Sequence, residues 1–460
     1  MTPQQQLEIE PDPTLHDLHI LPSDPPRYPH TPRFKHREGA IPSSPGSPRT
    51  VRVALAGCGV VGGGLVRLLH ESAPAIASRF GVRFELTRVL VRDVIRERHL
   101  PLEKRLFTND LGEFLSHDAD VVIEAVGGEE PARTIACAAL ARGKKVITAN
   151  KELVASHGAT LSALALENDT GLDFGAAVGG SAPVISTLRD LVGASTPLSV
   201  RGILNGTSNY VISLLENGAS LDAALASARE RGLAEADCTR DLDGRDAAAK
   251  LAIIAWITFG VHPSDLRLRR TSLIPGLESL VRLARSLGGH LRLLAECTQL
   301  TGHRVSAAVE PVIVGSQSAF ARTTLEENRV EVDLGWGLPL SVSGPGAGGH
   351  PTAAALLSDL LRLEPPPNDR GFGAAQFASV NDPREHKWLV SARQDAKSLQ
   401  RSTTSVGLDI DRVIDGEDVA VITAPANWEC LQSLIIALEA ADAEPCIARY
   451  ERESATEVVQ

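Results

Sequence analysis

The chain has 460 residues, 57 of them acidic and 46 basic, and its net charge of -11 argues against nucleic acid or an anionic membrane as the main partner. No apolar run reaches the ~18 residues of a membrane-spanning helix, and the polar, acidic start lacks the pattern of a secretory signal. Six single cysteines without a CxxC pair favour a reduced, cytoplasmic protein over a disulfide scaffold or a zinc site.

The first predicted folded element follows a long polar leader. Residues 1–48 contain eleven prolines and no helical or strand periodicity, so we predict that they are disordered. The apolar strand Arg52–Ala56 then runs into the pattern Gly57-x-Gly59-x-x-Gly62 and an amphipathic helix. This order is typical of a dinucleotide-binding unit, in which the helix N-terminus holds a pyrophosphate; the alternative is a plain tight turn. The predicted cofactor-binding residues are Gly57, Gly59, Val60, Val61 and Gly62.

Further strands alternate with helices and indicate a doubly wound parallel sheet. They are predicted at 84–91, 119–126, 145–148 and 171–178. Arg92 after the second strand would hold the extra phosphate of NADP, whereas Asp93 would hold the ribose of NAD, and an exposed charged pair is the alternative to both. Lys151 lies at the carboxyl edge of the sheet, where it is expected to meet the nicotinamide ribose or a substrate carboxylate, unless it is a solvated helix start.

A second α/β domain is predicted beyond this sheet. Its elements are a strand at 199–204, helices at 221–230, 246–259 and 276–286, and strands near 304–314 and 329–343. Thr207 or Ser208 is expected to cap the helix that follows the first strand. The glycine-rich loop 344–349 precedes a helix at 353–361 and is predicted to bring Gly346 and Gly348 close to the cofactor, a structural turn being the alternative.

The tail after the proline-rich break at 364–367 has a pattern of its own. From residue 388 it reads strand, helix, strand, strand, helix, strand, and Asp415-Gly416 supports a hairpin between the middle strands. This order predicts a small ferredoxin-like module.

The segment 231–251 carries five carboxylates and runs into an apolar helix. Asp246 and Lys250 are four residues apart and are expected to share one helix face. Carboxylates there would bind the ammonium of a small amino acid while Lys250 manages a proton. A solvated helix cap is the plainer alternative, and a calcium loop is excluded because its register would place Thr239 and Lys250 at ligand positions.

Taken in order, these motifs resemble homoserine dehydrogenase over residues 51–362. The matching segments are 57–62, 148–155, 177–183, 203–210, 231–251 and 344–349 with 351–352. The resemblance implies an interconversion of L-homoserine and L-aspartate 4-semialdehyde with NADP or NAD, in threonine and methionine biosynthesis. It also implies a homodimer or homotetramer.

The resemblance assigns a role to several residues of the acidic segment. It implies that Lys250 is the general acid-base, with Asp246 and Lys151 beside it, and that Lys151 also contacts the cofactor. The implied substrate-binding residues are Gly232, Glu235, Asp241 and Asp246.

Three features depart from the family pattern. The family has a Glu that helps to hold a monovalent cation, and here that position is Gly175, so only the carbonyls of Val178, Gly180 and Ala182 are expected to remain as weak ligands. Cys238 replaces a proline beside the substrate site. The tail resembles the regulatory ACT module in outline but lacks its Asp-x-Pro-Gly effector loop.

We therefore predict an α/β protein with four parts. These are a leader at 1–48, a Rossmann-type domain at 49–176 completed by 344–362, a substrate and dimerisation domain at 177–343, and a degenerate ACT-like domain at 380–460. Two other functions stay open: an aldehyde dehydrogenase that uses Cys238 as nucleophile, and a cofactor-binding paralogue that lost activity with Gly175.

Overall fold

The computed structural model describes residues 48–192, 195–234, 239–335, 337, 339–346, 348–362 and 377–451. The predicted leader, apart from Pro48, lies outside this part of the chain, as do Glu235 and Cys238. Within the described ranges, no helix is long and apolar enough to cross a membrane.

The first sheet is parallel and has six strands. They are β1 (Arg49–Ala56), β2 (Val82–Leu90), β3 (Phe107–Thr108), β4 (Val121–Glu124), β5 (Lys145–Thr148) and β6 (Leu172–Asp173). Their order is β3-β2-β1-β4-β5-β6, the doubly wound order that opens a ligand crevice between β1 and β4. Every residue of β4 and β5 is buried, as expected for central parallel strands covered on both faces.

Four helices connect these strands: α1 (Val60–Phe80), α2 (Leu111–Ser116), α3 (Ala132–Leu140) and α4 (Lys151–Glu167). The prediction of a parallel α/β sheet is confirmed, but the strand expected at 171–178 is wrong in length. It ends at Asp173 because residues Gly175–Ala177 form a 3-10 turn.

The second sheet begins with strands of the central part of the chain. They are β7 (Ser199–Ile203), β8 (Leu268–Arg270), β9 (Gly289–Leu300), β10 (Arg304–Gly315), β11 (Glu327–Asp333) and β12 (Leu340–Pro345). Their main path runs β12-β11-β7-β9-β10, and β8 pairs with β10. The helices of this region are α5 (Val184–Val192), α6 (Gly206–Glu216), α7 (Leu221–Glu230), α8 (Thr239–Leu242), α9 (Arg245–Phe259), α10 (Leu277–Ser286) and α11 (Ala319–Arg322).

Helix α12 (Gly349–Leu361) returns the chain to the first sheet. It packs on α1, where Gly64 makes close contact with Gly349 and Ala353. The helix layer over β1 therefore contains one helix that precedes the second domain in the chain and one that follows it. This contact brings the glycine-rich loop that precedes α12 next to the crevice of the first sheet.

The C-terminal part adds the last elements to the second sheet. They are β13 (Ala378–Ser379), β14 (Trp388–Ser391), α13 (Ala396–Ser405), β15 (Ile410–Ile414), β16 (Ala420–Thr423), α14 (Trp428–Ala440) and β17 (Cys446–Tyr450). The antiparallel order β17-β14-β16-β15 is that of a ferredoxin-like module with its own core around Trp388, Leu399 and Leu434. This module is not a separate sheet, because β17 pairs with β10 and makes a continuous sheet of eleven strands.

A buried network of ion pairs crosses this junction. Glu296 on β9 lies 3.0 Å from Arg201 on β7, 2.9 Å from Arg384 and 2.7 Å from Arg449 on β17. Arg449 also lies 2.9 Å from Glu310 on β10. Burial opposes ionisation of Glu296, but the three guanidinium groups outweigh it and hold the pKa of this carboxyl well below its usual range. The network therefore fixes how the module sits on the sheet.

Candidate active site

The glycine loop between β1 and α1 has room for a ligand at one position and none at its neighbours. Gly57 has φ +92°, and a Cβ there would collide with the backbone of Ala125; a Cβ at Gly62 would collide with Gly57. A Cβ at Gly59 would meet nothing within 4 Å. Gly59 is the N-cap of α1 and has no capping side chain, so the first amides of the helix can receive an anion such as pyrophosphate. The residues present fit a dinucleotide.

The two charged residues after β2, Arg92 and Asp93, differ in their contacts. The carboxylate of Asp93 accepts hydrogen bonds from the amides of Ile95 (2.8 Å) and Arg96 (3.1 Å), so it serves its own turn. Arg92 is exposed beside it. One oxygen of Asp93 is thus used within its own turn, and the preference for NADP stays a prediction.

Glu124 organises the carboxyl edge of β4 and β5, and sequence reasoning missed it. Its side chain is fully buried, accepts hydrogen bonds from the amides of Val126 (2.8 Å) and Gly127 (3.3 Å), and accepts one from the Thr148 hydroxyl. Burial raises the pKa of this carboxyl. The signal was an acid that ends an otherwise apolar strand, because such a charge is retained only where the fold supplies donors.

Asn150 continues this edge and starts α4. Its side-chain oxygen accepts hydrogen bonds from the amides of Glu152 and Leu153, both at 3.1 Å, and its nitrogen donates to Gly128 at 2.5 Å. Lys151 is consequently the first residue of α4 and points its ammonium towards α9, with one third of its side chain exposed.

Asp246 lies between two lysine ammonium groups at the centre of the site. Its Oδ2 is 2.8 Å from Lys250 Nζ, and its Oδ1 is 3.1 Å from Lys151 Nζ. Lys250 is buried and also donates a hydrogen bond to the carbonyl of Leu204 at 2.8 Å. The expected shared face of Asp246 and Lys250 is therefore present. Burial disfavours the charged form of Asp246, but the two ammonium groups prevail and hold its pKa well below the usual range.

Asn205 joins the two carboxylates of this cluster. Its amide nitrogen donates to Asp241 Oδ1 at 2.8 Å and to Asp246 Oδ2 at 2.7 Å, while its oxygen accepts from the amide of Ser208. The prediction that Thr207 or Ser208 caps α6 is therefore wrong, because the residue before the helix has the extended backbone that an N-cap needs. Burial raises the pKa of Asp241, and the hydrogen bond from Asn205 opposes this rise.

Asn150, Lys151 and Lys250 line a cavity of about 260 Å³. Its lining includes Val61, Gly127, Lys151, Ala177, Lys250 and Gly346. The glycine loop, the edge of β4 and β5, the acidic segment and the second glycine-rich loop thus meet at one place. The cavity is of a size for the reacting ends of a small substrate and a nicotinamide.

Four other predicted residues are not among the described residues that line the cavity. Gly232 is exposed at the end of α7 with φ +70°, and Gly348 is exposed before α12 with φ +123°. Glu235 and Cys238 fall outside the described residues. Among the residues that are described, no three His, Cys, Asp or Glu side chains form a group that could hold a metal ion.

At Gly175, where the family has a glutamate, the carboxylate of Asp359 on helix α12 occupies the nearby space. A Cβ at Gly175 would lie 2.5 Å from Oδ1 of Asp359 on α12, whose Oδ2 accepts a hydrogen bond from the Ala176 amide at 3.1 Å. Burial and the charge of Asp173 raise the pKa of Asp359 above its usual range, and the guanidinium of Arg362 opposes this rise. A small cavity of about 90 Å³ adjoins it and is also lined by Gly180 and Ala182, whereas Val178 is fully buried.

Comparisons with known proteins agree on one family. The family model described as "Homoserine dehydrogenase, NAD binding domain" matches residues 57–174, and that described as "Homoserine dehydrogenase" matches residues 183–361. The homoserine dehydrogenase of Mycobacterium tuberculosis is 39% identical over 323 residues, which are 69% of this chain and 73% of that protein. That of Corynebacterium glutamicum is 36% identical over 325 residues, 69% of this chain and 72% of that protein.

A solved structure extends the likeness beyond these segments. The homoserine dehydrogenase of Thiobacillus denitrificans is 29% identical, with a TM-score of 0.78, and the match covers 88% of this chain and 98% of that one. Because residues 1–361 could not supply that share of the chain, the similarity reaches into the C-terminal part.

Proposed function

The chain belongs to the homoserine dehydrogenase family, and on that premise we propose that Lys250 exchanges the proton that accompanies hydride transfer. The protein is an NAD(P)-dependent oxidoreductase of amino-acid biosynthesis that interconverts L-homoserine and L-aspartate 4-semialdehyde. The observation that carries the proposal is the position of Lys250, whose ammonium faces the same cavity as Lys151 and both glycine-rich loops.

The nicotinamide, when bound, supplies or accepts the hydride at the aldehyde carbon of the substrate. Negative charge then builds on the aldehyde oxygen, and the ammonium of Lys250 stabilises this charge and donates a proton to the oxygen. In the reverse direction the lysine amine takes the hydroxyl proton of homoserine. Two partners orient Lys250. The carbonyl of Leu204 accepts a hydrogen bond from its Nζ at 2.8 Å, and Oδ2 of Asp246 lies 2.8 Å from the same atom.

Asp241 and Asp246 are proposed to hold the substrate ammonium. Both are partly buried beside Asn205, so an ammonium that binds there would be largely shielded from water. Lys151 is proposed to contact the substrate carboxylate or the nicotinamide ribose, because it lies across Asp246 from Lys250. Glu235 would complete the ammonium site, as the family resemblance implies.

The test compares Lys250→Ala with Lys104→Ala, a substitution of an exposed lysine that does not line the cavity. Turnover is followed by the absorbance of the reduced nicotinamide with homoserine and each cofactor. We expect kcat of Lys250→Ala to fall by roughly 10²–10⁴, the usual contribution of a general acid-base, with little change in cofactor affinity. Near-normal turnover of this variant would refute the assignment.

Cofactor preference can be tested separately from the chemistry. We propose that Arg92 favours NADP through its exposed guanidinium, because Asp93 is engaged by its own turn. Arg92→Ala should then raise KM for NADP more than KM for NAD, and an equal effect on both would contradict the proposal.

We also propose a homodimer or homotetramer in the cytoplasm. The second sheet ends in the edge strand β12, whose partner on one side is β11, and its other side offers backbone groups to a second copy. The five described cysteines are all free, which suits a reducing compartment. Light scattering of the purified protein tests the oligomeric state.

A further inference from the structure

A group of five charged side chains lies under the turn that follows β6. Asp173 is 2.7 Å from both Lys145 and Arg189. Asp359 on α12 lies above Gly175, and the guanidinium of Arg362 approaches its Oδ1 at 3.8 Å. All but Arg362 are almost fully buried, and Arg362 is one third exposed.

The charges in this group do not call for another cation. Two carboxylates face three basic groups, since Asp173 has Lys145 and Arg189, and Asp359 has Arg362. A free monovalent ion at the same place would add a fourth positive charge in a poorly hydrated region, where like charges repel strongly. The residues present therefore do not fit the cation site that the family resemblance implies.

The lining of the small cavity also argues against a bound cation. The 90 Å³ cavity that contains the candidate ligands Gly180 and Ala182 is lined by Asp359 and also by Arg362. Gly175 leaves the family's carboxylate position to Asp359, which belongs to the same helix as the residues that pack on α1. Helix α12 and the residue that follows it thus place both the carboxylate of Asp359 and the guanidinium of Arg362 beside this cavity.

We propose that the guanidinium of Arg362 takes the place of a free monovalent cation in this protein. It neutralises Asp359 and lines the small cavity between α12 and the loop that contains Gly180 and Ala182, so the junction of the two domains carries its own positive charge. This inference concerns the charge of the junction and does not depend on the roles proposed for Lys250, Asp241 or Asp246.

The test measures thermal stability in sodium, potassium and choline chloride at equal ionic strength. The variant Arg362→Gln removes the charge and keeps a polar side chain of similar reach, while Arg83→Gln changes an exposed arginine on β2 as a control. Sodium NMR line width reports ion binding independently of stability and of activity.

For the natural protein and Arg83→Gln, the three salts should give the same Tm and sodium lines should stay narrow. For Arg362→Gln, sodium or potassium should raise Tm above the choline value by about 1–3 °C and broaden the sodium line, because an ion now binds beside Asp359. The double variant Arg362→Gln with Asp359→Asn should lose this difference.

Two results would overturn the proposal. Specific stabilisation of the natural protein by sodium or potassium would show that a free ion binds beside Arg362. A folded Arg362→Gln variant that responds equally to all three salts and leaves the sodium line narrow would show that Arg362 does not occupy an ion's place. If that variant does not fold, the measurement on the natural protein still decides whether a free monovalent ion binds at this junction.

Discussion

At the scale of single residues, Asn205 influences the ionisation of the two acids that we propose to bind the substrate. Its amide donates one hydrogen bond each to Asp241 and Asp246, and the bond to Asp241 opposes a rise in pKa that burial causes. Asp246 stays ionised because two lysines hold its pKa far down, so Asp241 is the carboxyl that titrates first as the pH falls. The affinity for the substrate ammonium should follow the ionisation of Asp241.

We therefore predict that Asn205→Ala makes substrate binding fail at a higher pH. KM for homoserine should rise as the pH falls through the raised pKa of Asp241, and the rise should begin at higher pH in the variant because the opposing hydrogen bond is gone. Profiles of KM against pH for both proteins check this, with KM for the cofactor as the internal control. Superimposable profiles would argue that Asn205 acts only as the cap of α6.

Gly175 shows how one small residue permits a contact between distant segments. Its missing Cβ is the space that the Asp359 carboxylate occupies, at 2.5 Å from where the carbon would be. Gly175→Ala should lower the free energy of unfolding by about 1–3 kcal/mol, the usual cost of forcing an extra carbon into a packed site. Gly416→Ala is the matched control, since a Cβ there meets nothing within 4 Å. Equal stability of the two variants in urea would show that Asp359 can yield.

At the scale of elements, β17 depends on the ion pairs around it. Arg449 is 2% exposed and lies between Glu296 and Glu310, so its removal takes one positive charge away from two buried carboxylates that keep only their other arginine partners. We predict that Arg449→Met destabilises the protein by about 3–5 kcal/mol, the range observed when one member of a buried pair is removed. Arg412→Met on exposed β15 should change stability little, and urea unfolding compares them. A similar midpoint for both variants would mean that the network is dispensable.

The elements also show which sequence signals were sufficient. The helix at 221–230 has the predicted bounds because its apolar spacing and its flanking turn residues agree. Strand β9 was not predicted, since Arg292 and Glu296 interrupt its apolar residues and leave no clear alternation of apolar and polar side chains. The pairing of β17 with β10 was not predictable, because nothing local specifies which strand an edge will meet.

The same distinction holds for the active site. Lys250 and Asp246 were predictable because helical spacing alone puts them on one face. Asn205 and Glu124 act on partners that are distant in sequence, Asp241 and Thr148, so their roles appear only once the sheets bring those segments together. The contact of Asp359 with Gly175 could not be predicted for the same reason, because the two residues are 184 positions apart in the sequence.

At the scale of the whole molecule, the C-terminal module is a fixed part of the second sheet. The loop between β14 and α13 reads Ala392-Arg-Gln-Asp395 and has no Asp-x-Pro-Gly sequence, so we predict that threonine inhibits the enzyme weakly or not at all. Initial rates with homoserine across a threonine series check this in the intact protein. Strong inhibition would show that another part of the module binds the amino acid. Truncation is a poor test, since it would expose Glu296 and Glu310.

The place of β17 in the sheet constrains how the protein can be made. On one edge of β10, residues 307–309 pair with the earlier strand β8, but residues 312–313 pair with β17, which begins only at Cys446. During translation this end of the edge therefore stays unpaired until the ribosome has delivered β17. At ~5–20 residues per second this wait lasts on the order of ten seconds, during which an unpaired edge can join another nascent chain. Yield in a cell should therefore depend on how well chaperones shield that edge, even though the finished sheet does not expose it.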